Sequence, residues 1–289
     1  MYEWNHQNVL KNIRLWLEED IGSGDITTNT TIPEGHRSQG IIHVKENCMI
    51  AGLPIAQAVF TEVDPHIRFI PQVAEGSLVA KGDIVAIVDG LTHSILLGER
   101  LSLNLLQRLS GIATRTKQYV DATSHYSTRI VDTRKTTPGH RHLEKYAVRV
   151  GGGHNHRFGL YDAVMIKDNH IIASGSVLHA IHQARSQIPH TMKIEVEVEN
   201  FTQLEQAIEA SADIIMLDNM NLEDMMKAVS TIKSKKPHIL VEASGSVTLD
   251  SVKAIAHTGV DIISIGRLTY SVISIDMSLD LNAQKEATS

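Results

Sequence analysis

Residues 213–266 read "DIIMLDNMNLEDMMKAVSTIKSKKPHILVEASGSVTLDSVKAIAHTGVDIISIG". Three apolar runs, "DIIMLDN", "HILVEAS" and "VDIISIG", are separated by two amphipathic runs, "LEDMMKAVSTIKSK" and "TLDSVKAIAHTG". Each apolar run ends in a polar or glycine-containing turn. Strands that alternate with helices predict a parallel sheet. The same unit recurs upstream: the strands "RIVDT", "AVMIKD" and "KIEVEVE" precede the stretch, with "SVLHAIHQARSQI" and "FTQLEQAIEA" as helices. A doubly wound sheet and a barrel both fit such repeats. Six units rather than eight predict an α/β barrel that is incomplete or partly open.

The preceding part has a different rhythm. A first helix is expected where Trp4, Val9, Leu10, Ile13 and Leu17 recur at helical spacing. "DIGSGDITT" reads as a turn, and short strands follow in "GIIHVKENCMIAG", "IRFIPQV" and "DIVAIVDG". "AEGSLVAKGD" reads as a hairpin with glycines at its turns. It is similar to the hammerhead of biotinyl and lipoyl carriers, but Lys81 lacks the flanking methionines that a carrier needs. A long helix over "HSILLGERLSLNLLQRLSGIATRTKQYVDAT" closes this part. The expected division is an N-terminal α/β domain over 1–114 and a barrel over 115–271. Residues 272–289 are expected to return to the first domain, and the final "NAQKEATS" to lack order.

Composition removes several functions. The 289 residues are 42% apolar and 21% charged, as in an ordinary globular protein. One cysteine, Cys48, excludes an internal disulfide and a multi-cysteine zinc site, and its apolar surroundings predict a small buried residue. No run approaches the ~20 apolar residues that span a bilayer, nor does the N-terminus read as a signal peptide, so a soluble cytoplasmic protein is expected. The formal net charge of -6 argues against nucleic acid as partner.

Against that acidic background stands "DTRKTTPGHRHLEKYAVRVGGGHNHRFG", residues 132–159. It holds Arg134, Lys135, His140, Arg141, His142, Lys145, Arg149, His154, His156 and Arg157, opposed only by Asp132 and Glu144. The stretch could be a solvated basic helix face. Its glycines, and the lack of interleaved aromatics, point instead to a pocket for a small polyanion.

In parallel α/β folds the chemistry collects at the C-terminal strand ends. Those ends carry Arg134 and Lys135, then Lys167 and Asp168, then Glu195, Glu197 and Glu199 on one face. They continue with Asp218 and Asn219, then Ser244, Gly245 and Ser246, and finally Gly266. Cations come from the first two strands, carboxylates from the next two, and small residues close the circle. Glu197 and Asp218 could hold Mg²⁺, which takes oxygen ligands and keeps several waters. The Gly-Ser turn offers backbone N–H groups to a phosphate. Each feature also has a plainer reading. The three glutamates could face solvent from an edge strand, Asp218 could cap a helix, and "GGGHNH" could be a flexible turn. "RIVDTRKTTPG" also suggests the ribose-phosphate loop of type I phosphoribosyltransferases, but the two adjacent acids of that loop are missing.

Taken together, the motifs resemble one family closely: quinolinate phosphoribosyltransferase, the carboxylating nicotinate-nucleotide pyrophosphorylase. The resemblance runs from "EEDIGSGDITT" through "GERLSLNLLQRLSGIAT", the basic stretch with "LYDAVMIKDNHI", "IEVEVEN" and "IIMLDN" to "EASGSV" and "GVDIISIG". It implies an N-terminal α/β sandwich, hammerhead-like, with a C-terminal incomplete α/β barrel. It implies transfer of phosphoribosyl from phosphoribosyl pyrophosphate to quinolinate, with release of pyrophosphate and CO₂. Mg²⁺ is the implied cofactor, held by Glu197 and Asp218 directly or through water, with no organic cofactor. Arg100, Thr133, Arg134, Lys135, His156, Arg157 and Lys167 match the quinolinate pocket. Glu197, Asp218, Ser244, Gly245, Ser246, Ile265, Gly266 and Arg267 match the site of phosphoribosyl pyrophosphate. Lys135, Lys167, Glu197 and Asp218 are the implied catalytic set. The resemblance also implies a homodimer, with Arg100 lent to the neighbouring subunit, or a higher assembly. One departure is the "SGS" turn, where many relatives read "SGG" or "SGN". A paralogue with another anionic substrate and a phosphosugar-binding protein without turnover remain the alternatives.

Overall fold

The computed structural model describes residues 6–283. They fall into two compact units. The first contains residues up to Lys117, Thr137–Gly152 and those from Ser271 on; the second contains Gln118–Thr136 and Gly153–Tyr270. The segment 137–152, expected with the barrel, therefore groups with the first unit. Residues 284–289, most of the run expected to lack order, lie outside the described residues.

The first unit opens with helix α1 (His6–Ile21), which buries Val9, Ile13 and Leu17 on one face. Trp4, part of the same sequence pattern, lies outside the described residues. The stretch expected as a turn contains a short helix, α2 (Ile26–Thr31). The Asp25 carboxylate starts it by accepting the Thr28 N–H at 3.0 Å. Its threonine-rich sequence carries little helix propensity, so the cap was the sole local signal.

Strands β1 (Arg37–Val44) and β2 (Cys48–Met49) follow, then helix α3 (Leu53–Val63) and strands β3 (Arg68–Pro71), β4 (Leu78–Val79) and β5 (Ile84–Leu91). The main sheet is antiparallel, in the order Met277–Ala283, β1, β5, β3. "AEGSLVAKGD" joins the antiparallel neighbours β3 and β5, and β4 within it pairs with β2. Cys48 is buried, and burial pushes its thiol up to about 11, so it is an inert apolar group. The Glu75 carboxylate accepts from the Gly52 and Leu53 N–H groups at 2.6 and 3.0 Å, which caps α3, and from the Tyr146 hydroxyl at 2.7 Å. Helix α4 (Thr92–Ala122) runs where the leucine pattern predicts. Helix α5 (Arg141–Val150) completes the first unit.

The second unit holds β6 (Arg129–Val131), β7 (Val164–Ile166), β8 (Ile194–Val198), β9 (Ile214–Asp218), β10 (Leu240–Ser244) and β11 (Ile262–Ser264). Their order is β6-β11-β10-β9-β8-β7, every neighbouring pair parallel. β6 and β7 stand at the two ends of the sheet, so the barrel is open between them. The intervening helices are α6 (Asp168–Ser174), α7 (Val177–Gln187), α8 (Phe201–Glu209), α9 (Leu222–Lys235), α10 (Leu249–His257) and the short α11 (Arg267–Tyr270). Ser176, Asn200, Asn221 and Thr248 each accept a backbone N–H with the side chain and so start α7, α8, α9 and α10. All six strands point the same way, which gathers their C-terminal ends on one rim.

Candidate active site

The rim encloses a cavity of about 590 Å³. Thr133, Arg134, Lys135, His156, Arg157 and Lys167 line one part of it. Glu197, Asp218 and Glu242 add carboxyl groups, and Ser244, Gly245, Ser246, Ile265, Gly266 and Arg267 complete the wall. The residues that the resemblance implies for the two substrates all border this cavity except Arg100, which is exposed on α4 in the first unit.

The basic stretch divides between the units. Arg134, Lys135, His156 and Arg157 reach the cavity. His140, Arg141, His142, Lys145 and Arg149 belong to the first unit and are absent from the cavity lining. Glu144 there is fully buried and accepts from Arg108 at 2.6 Å. The stretch is thus neither one solvated face nor one pocket.

Two of the three glycines serve the end of α5. Gly151 ends α5, and a Cβ there would stand 2.6 Å from both the Ala113 carbonyl oxygen and the Thr116 Cβ. Gly152 takes a φ of 86°, a left-handed conformation that favours glycine. His156 is positioned by Asp132. Its buried carboxylate accepts from the His156 N–H at 2.8 Å and the Asn155 amide at 2.6 Å. This ties the 153–157 loop to the end of β6, where Val131 and His154 form a parallel bridge. The Arg157 guanidinium then donates to the Ala163 carbonyl at 3.0 Å. Burial first, and then the neighbouring Arg134, push its pKa down from the ordinary value.

Lys135 is fixed at its backbone: its N–H donates to Thr133 Oγ1 at 3.0 Å and its carbonyl accepts from the Thr269 hydroxyl at 2.8 Å. Lys167 forms an ion pair with Glu197. Glu195 and Glu197 of β8 share one face, as the strand pleat requires, at different depths. Glu195 is buried, Glu197 borders the cavity, and Glu199 lies exposed beyond the strand end. Asp168 is also exposed, and it starts α6 instead of lining the cavity.

At the far side the turn after β10 fits closely against the turn after β9. Gly245 has φ of 105°, and a Cβ there would fall 2.1 Å from the Asn219 Oδ1. The Asn219 N–H donates to the Ser244 carbonyl at 3.0 Å. At Gly266 a Cβ would meet the Tyr270 ring at 2.9 Å and Lys135 Cδ at 3.0 Å. At Gly245 the positive φ and the Asn219 amide both disfavour a side chain, and at Gly266 the Tyr270 ring and the Lys135 stem would have to shift for one. Sequence reasoning missed two participants, Asp132 and Glu242. The available signal was an acid inside an otherwise apolar strand, "HILVEAS", and at the end of "RIVD".

Cations thus face carboxylates across a rim of small-residue turns, an arrangement whose chemistry suits an anionic molecule that carries a phosphate. Two family models cover most of the chain. The quinolinate phosphoribosyl transferase N-terminal domain matches residues 25–110, and its C-terminal domain matches 112–280. The chain belongs to the quinolinate phosphoribosyl transferase family. A Synechocystis relative named "Probable nicotinate-nucleotide pyrophosphorylase (carboxylating)" is 50% identical over 87% of this chain and 85% of its own length. The Rattus norvegicus nicotinate-nucleotide pyrophosphorylase (carboxylating) is 40% identical over 93% and 89%. The crystal structure of NadC from Streptococcus pyogenes superposes with a TM-score of 0.94 at 40% identity, covering 99% of this chain and all of that one. The antiparallel sheet and the open parallel barrel of this chain thus have the fold of that solved structure.

Proposed function

We propose that this chain transfers phosphoribosyl from phosphoribosyl pyrophosphate to quinolinate, releasing pyrophosphate and CO₂ and giving nicotinate mononucleotide, a step of NAD biosynthesis. The observation that carries it is the single cavity in which Arg134, Lys135, His156, Arg157 and Lys167 meet Glu197, Asp218 and the Ser244–Ser246 turn. An acidic protein holds two polyanions by concentrating its cations where water is partly excluded. Quinolinate's two carboxylates suit the cations of β6, the 153–157 loop and β7. The phosphate of the second substrate suits the N–H groups of the Ser244–Ser246 turn and Gly266, with Ile265 and Arg267 beside them.

The donor set fits a hard cation, since Glu197 and Asp218 present carboxylate oxygens at the ends of adjacent strands. We assign Mg²⁺ to these two, directly or through water. Bound there, it would neutralise the departing pyrophosphate. The carboxylates themselves stabilise positive charge that develops on the ribose as its bond to pyrophosphate lengthens. The cation cluster orients quinolinate so that the ring nitrogen meets the anomeric carbon. Once that bond forms, the ring is a pyridinium. The carboxylate beside the nitrogen leaves as CO₂, and the electron pair left on carbon is stabilised by the ring's charge before it takes a proton. No organic cofactor enters this scheme.

We assign Arg100, exposed on α4, to the cavity of a neighbouring copy in a homodimer or higher assembly. The setting we assign is cytoplasmic, without nucleic acid or membrane as partner. Among the described residues no helix is long and apolar enough to cross a membrane.

The deciding experiment supplies quinolinate, phosphoribosyl pyrophosphate and Mg²⁺, and follows nicotinate mononucleotide and CO₂ together, with nicotinate in a parallel reaction. Equal amounts of both products from quinolinate, and none from nicotinate, are expected. Turnover of nicotinate, or of neither compound by folded protein, overturns the assignment.

A further inference from the structure

The chemistry above leaves two carboxyl groups unused. Glu195 on β8 and Glu242 on β10 are 3% and 1% exposed, too deep for surface ion pairs. Both approach one atom: His156 Nε2 lies 3.1 Å from Glu195 Oε2 and 3.7 Å from Glu242 Oε2. In each carboxyl group the second oxygen, Oε1, is buried and has no hydrogen-bond partner.

The opposite ring nitrogen fixes the proton count. His156 Nδ1 accepts the Arg157 N–H at 2.7 Å, so Nδ1 carries no proton. The imidazole is therefore neutral, with its hydrogen on Nε2. One N–H serves one acceptor, and the nearer is Glu195. Glu242, at 3.7 Å, is beyond hydrogen-bond reach. The groups that act on Glu242 are Glu195 from β8, His156 from the 153–157 loop, Lys167 after β7 and Ser264 from β11. Lys167 already pairs with Glu197. A neutral imidazole offers no charge to balance a second buried carboxylate, so a charged Glu242 would lie uncompensated beside a cavity built for anions.

We propose that Glu242 is a positioning residue that works as its neutral acid: uncharged, it leaves His156 facing one carboxylate, Glu195, instead of two, so the imidazole stays neutral and its unprotonated Nδ1 sets the backbone of Arg157, which presents its guanidinium to the anionic substrate. The kinetic consequence rests on the quinolinate reading; the state of the imidazole does not. Burial first, and Glu195 second, raise the Glu242 carboxyl to about 8. Its proton is therefore held below that pH and lost above it. Loss adds negative charge beside the substrate and opposes binding.

The test has two arms. In ¹⁵N-histidine-labelled protein, the imidazole missing from His156→Gln identifies His156. It is expected to show an unprotonated Nδ1 and a protonated Nε2 from pH 6 to 7.5. A doubly protonated ring at pH 7 overturns the proposal whatever the substrate is. In the kinetic arm, Glu242→Ala is expected to raise KM for quinolinate about tenfold or more at pH 7, with a smaller change in kcat. Glu242→Gln, a neutral isostere, is expected to recover most of that loss and to abolish the rise in KM that the unaltered enzyme shows above pH 8. A Glu242→Gln enzyme as impaired as Glu242→Ala, or one that keeps the alkaline rise, shows that charge or another group is responsible and overturns the proposal. If quinolinate is not a substrate at all, the kinetic arm is silent in every variant and the imidazole spectrum alone decides.

Discussion

Lys135 is held by its backbone, to Thr133 and Thr269, so cutting back its side chain removes charge without loosening the loop. Lys135→Ala is expected to lose ~10²–10³ in kcat/KM, the usual cost of one pre-aimed charge, with an unchanged urea midpoint. Arg157→Ala should lose a similar factor; near-full activity in either variant removes that residue from the site. Ser246 is one of three described non-glycine residues with positive φ, at 43°. A side chain there costs roughly 1–2 kcal/mol, and glycine returns part of that as unfolded-state entropy. Ser246→Gly should therefore gain up to about 1 kcal/mol in a denaturant titration, and a loss would mean the Ser246 side chain makes compensating contacts. At this scale, strand-end position placed Lys135, Lys167, Glu197 and Asp218 at the cavity but not Asp168 or Glu199, which are exposed. Asp132 and Glu242 escaped because their roles depend on what lies across the sheet. Asp132 meets a loop more than twenty residues on, and Glu242 meets His156 of that same loop, which is bridged to β6, two strands away in the sheet.

Helix α4 has two glycines, Gly98 and Gly111, well inside its 31 residues. Alanine normally stabilises a helix interior by about 1 kcal/mol over glycine. Here the sign should reverse at Gly111. A Cβ would fall 2.2 Å from the Ile273 carbonyl oxygen, which is backbone and cannot swing aside. Gly111→Ala is expected to destabilise by about 1–3 kcal/mol, as overpacking does, measured by urea unfolding. A stabilised variant would show that the 271–275 segment is free to shift. Periodicity located α4 and the βα repeats because their apolar faces are long. It missed α2, whose six residues depend on Asp25, and it gave no account of Gly151 and Gly152, whose constraints come from α4 and from helix termination.

For the whole chain, the strand Met277–Ala283 is the outer member of the four-stranded sheet, and Ile275, Met277 and Leu279 are buried. Losing one such side chain costs about 2–5 kcal/mol, and total stabilities run to 5–15 kcal/mol. A chain ended after Tyr270 should therefore fail to yield a soluble, cooperatively unfolding protein, as circular dichroism and gel filtration will report. A folded truncated protein would show that β1 tolerates an open edge. The assignment of Arg100 to a neighbouring copy predicts complementation. Mixed assemblies of Arg100→Ala and Lys135→Ala subunits should recover activity that neither parent has, and no recovery in verified mixed dimers counts against sharing. The change in rhythm near residue 114 falls close to Lys117, where the first unit's opening segment ends. The return of 137–152 to the first unit was not legible, because a basic amphipathic helix gives no sign of which core it joins.

That interleaving imposes an order on synthesis. As the chain leaves the ribosome, the antiparallel sheet has β1, β3 and β5 once residue 91 is out, yet its fourth strand arrives only after the whole parallel sheet has emerged. At 5–20 residues per second the wait is on the order of ten seconds or more. During it β1 offers an unpaired edge to any passing chain. The unit begun first is thus completed last, and β1 is the surface on which a nascent-chain chaperone would have most to protect.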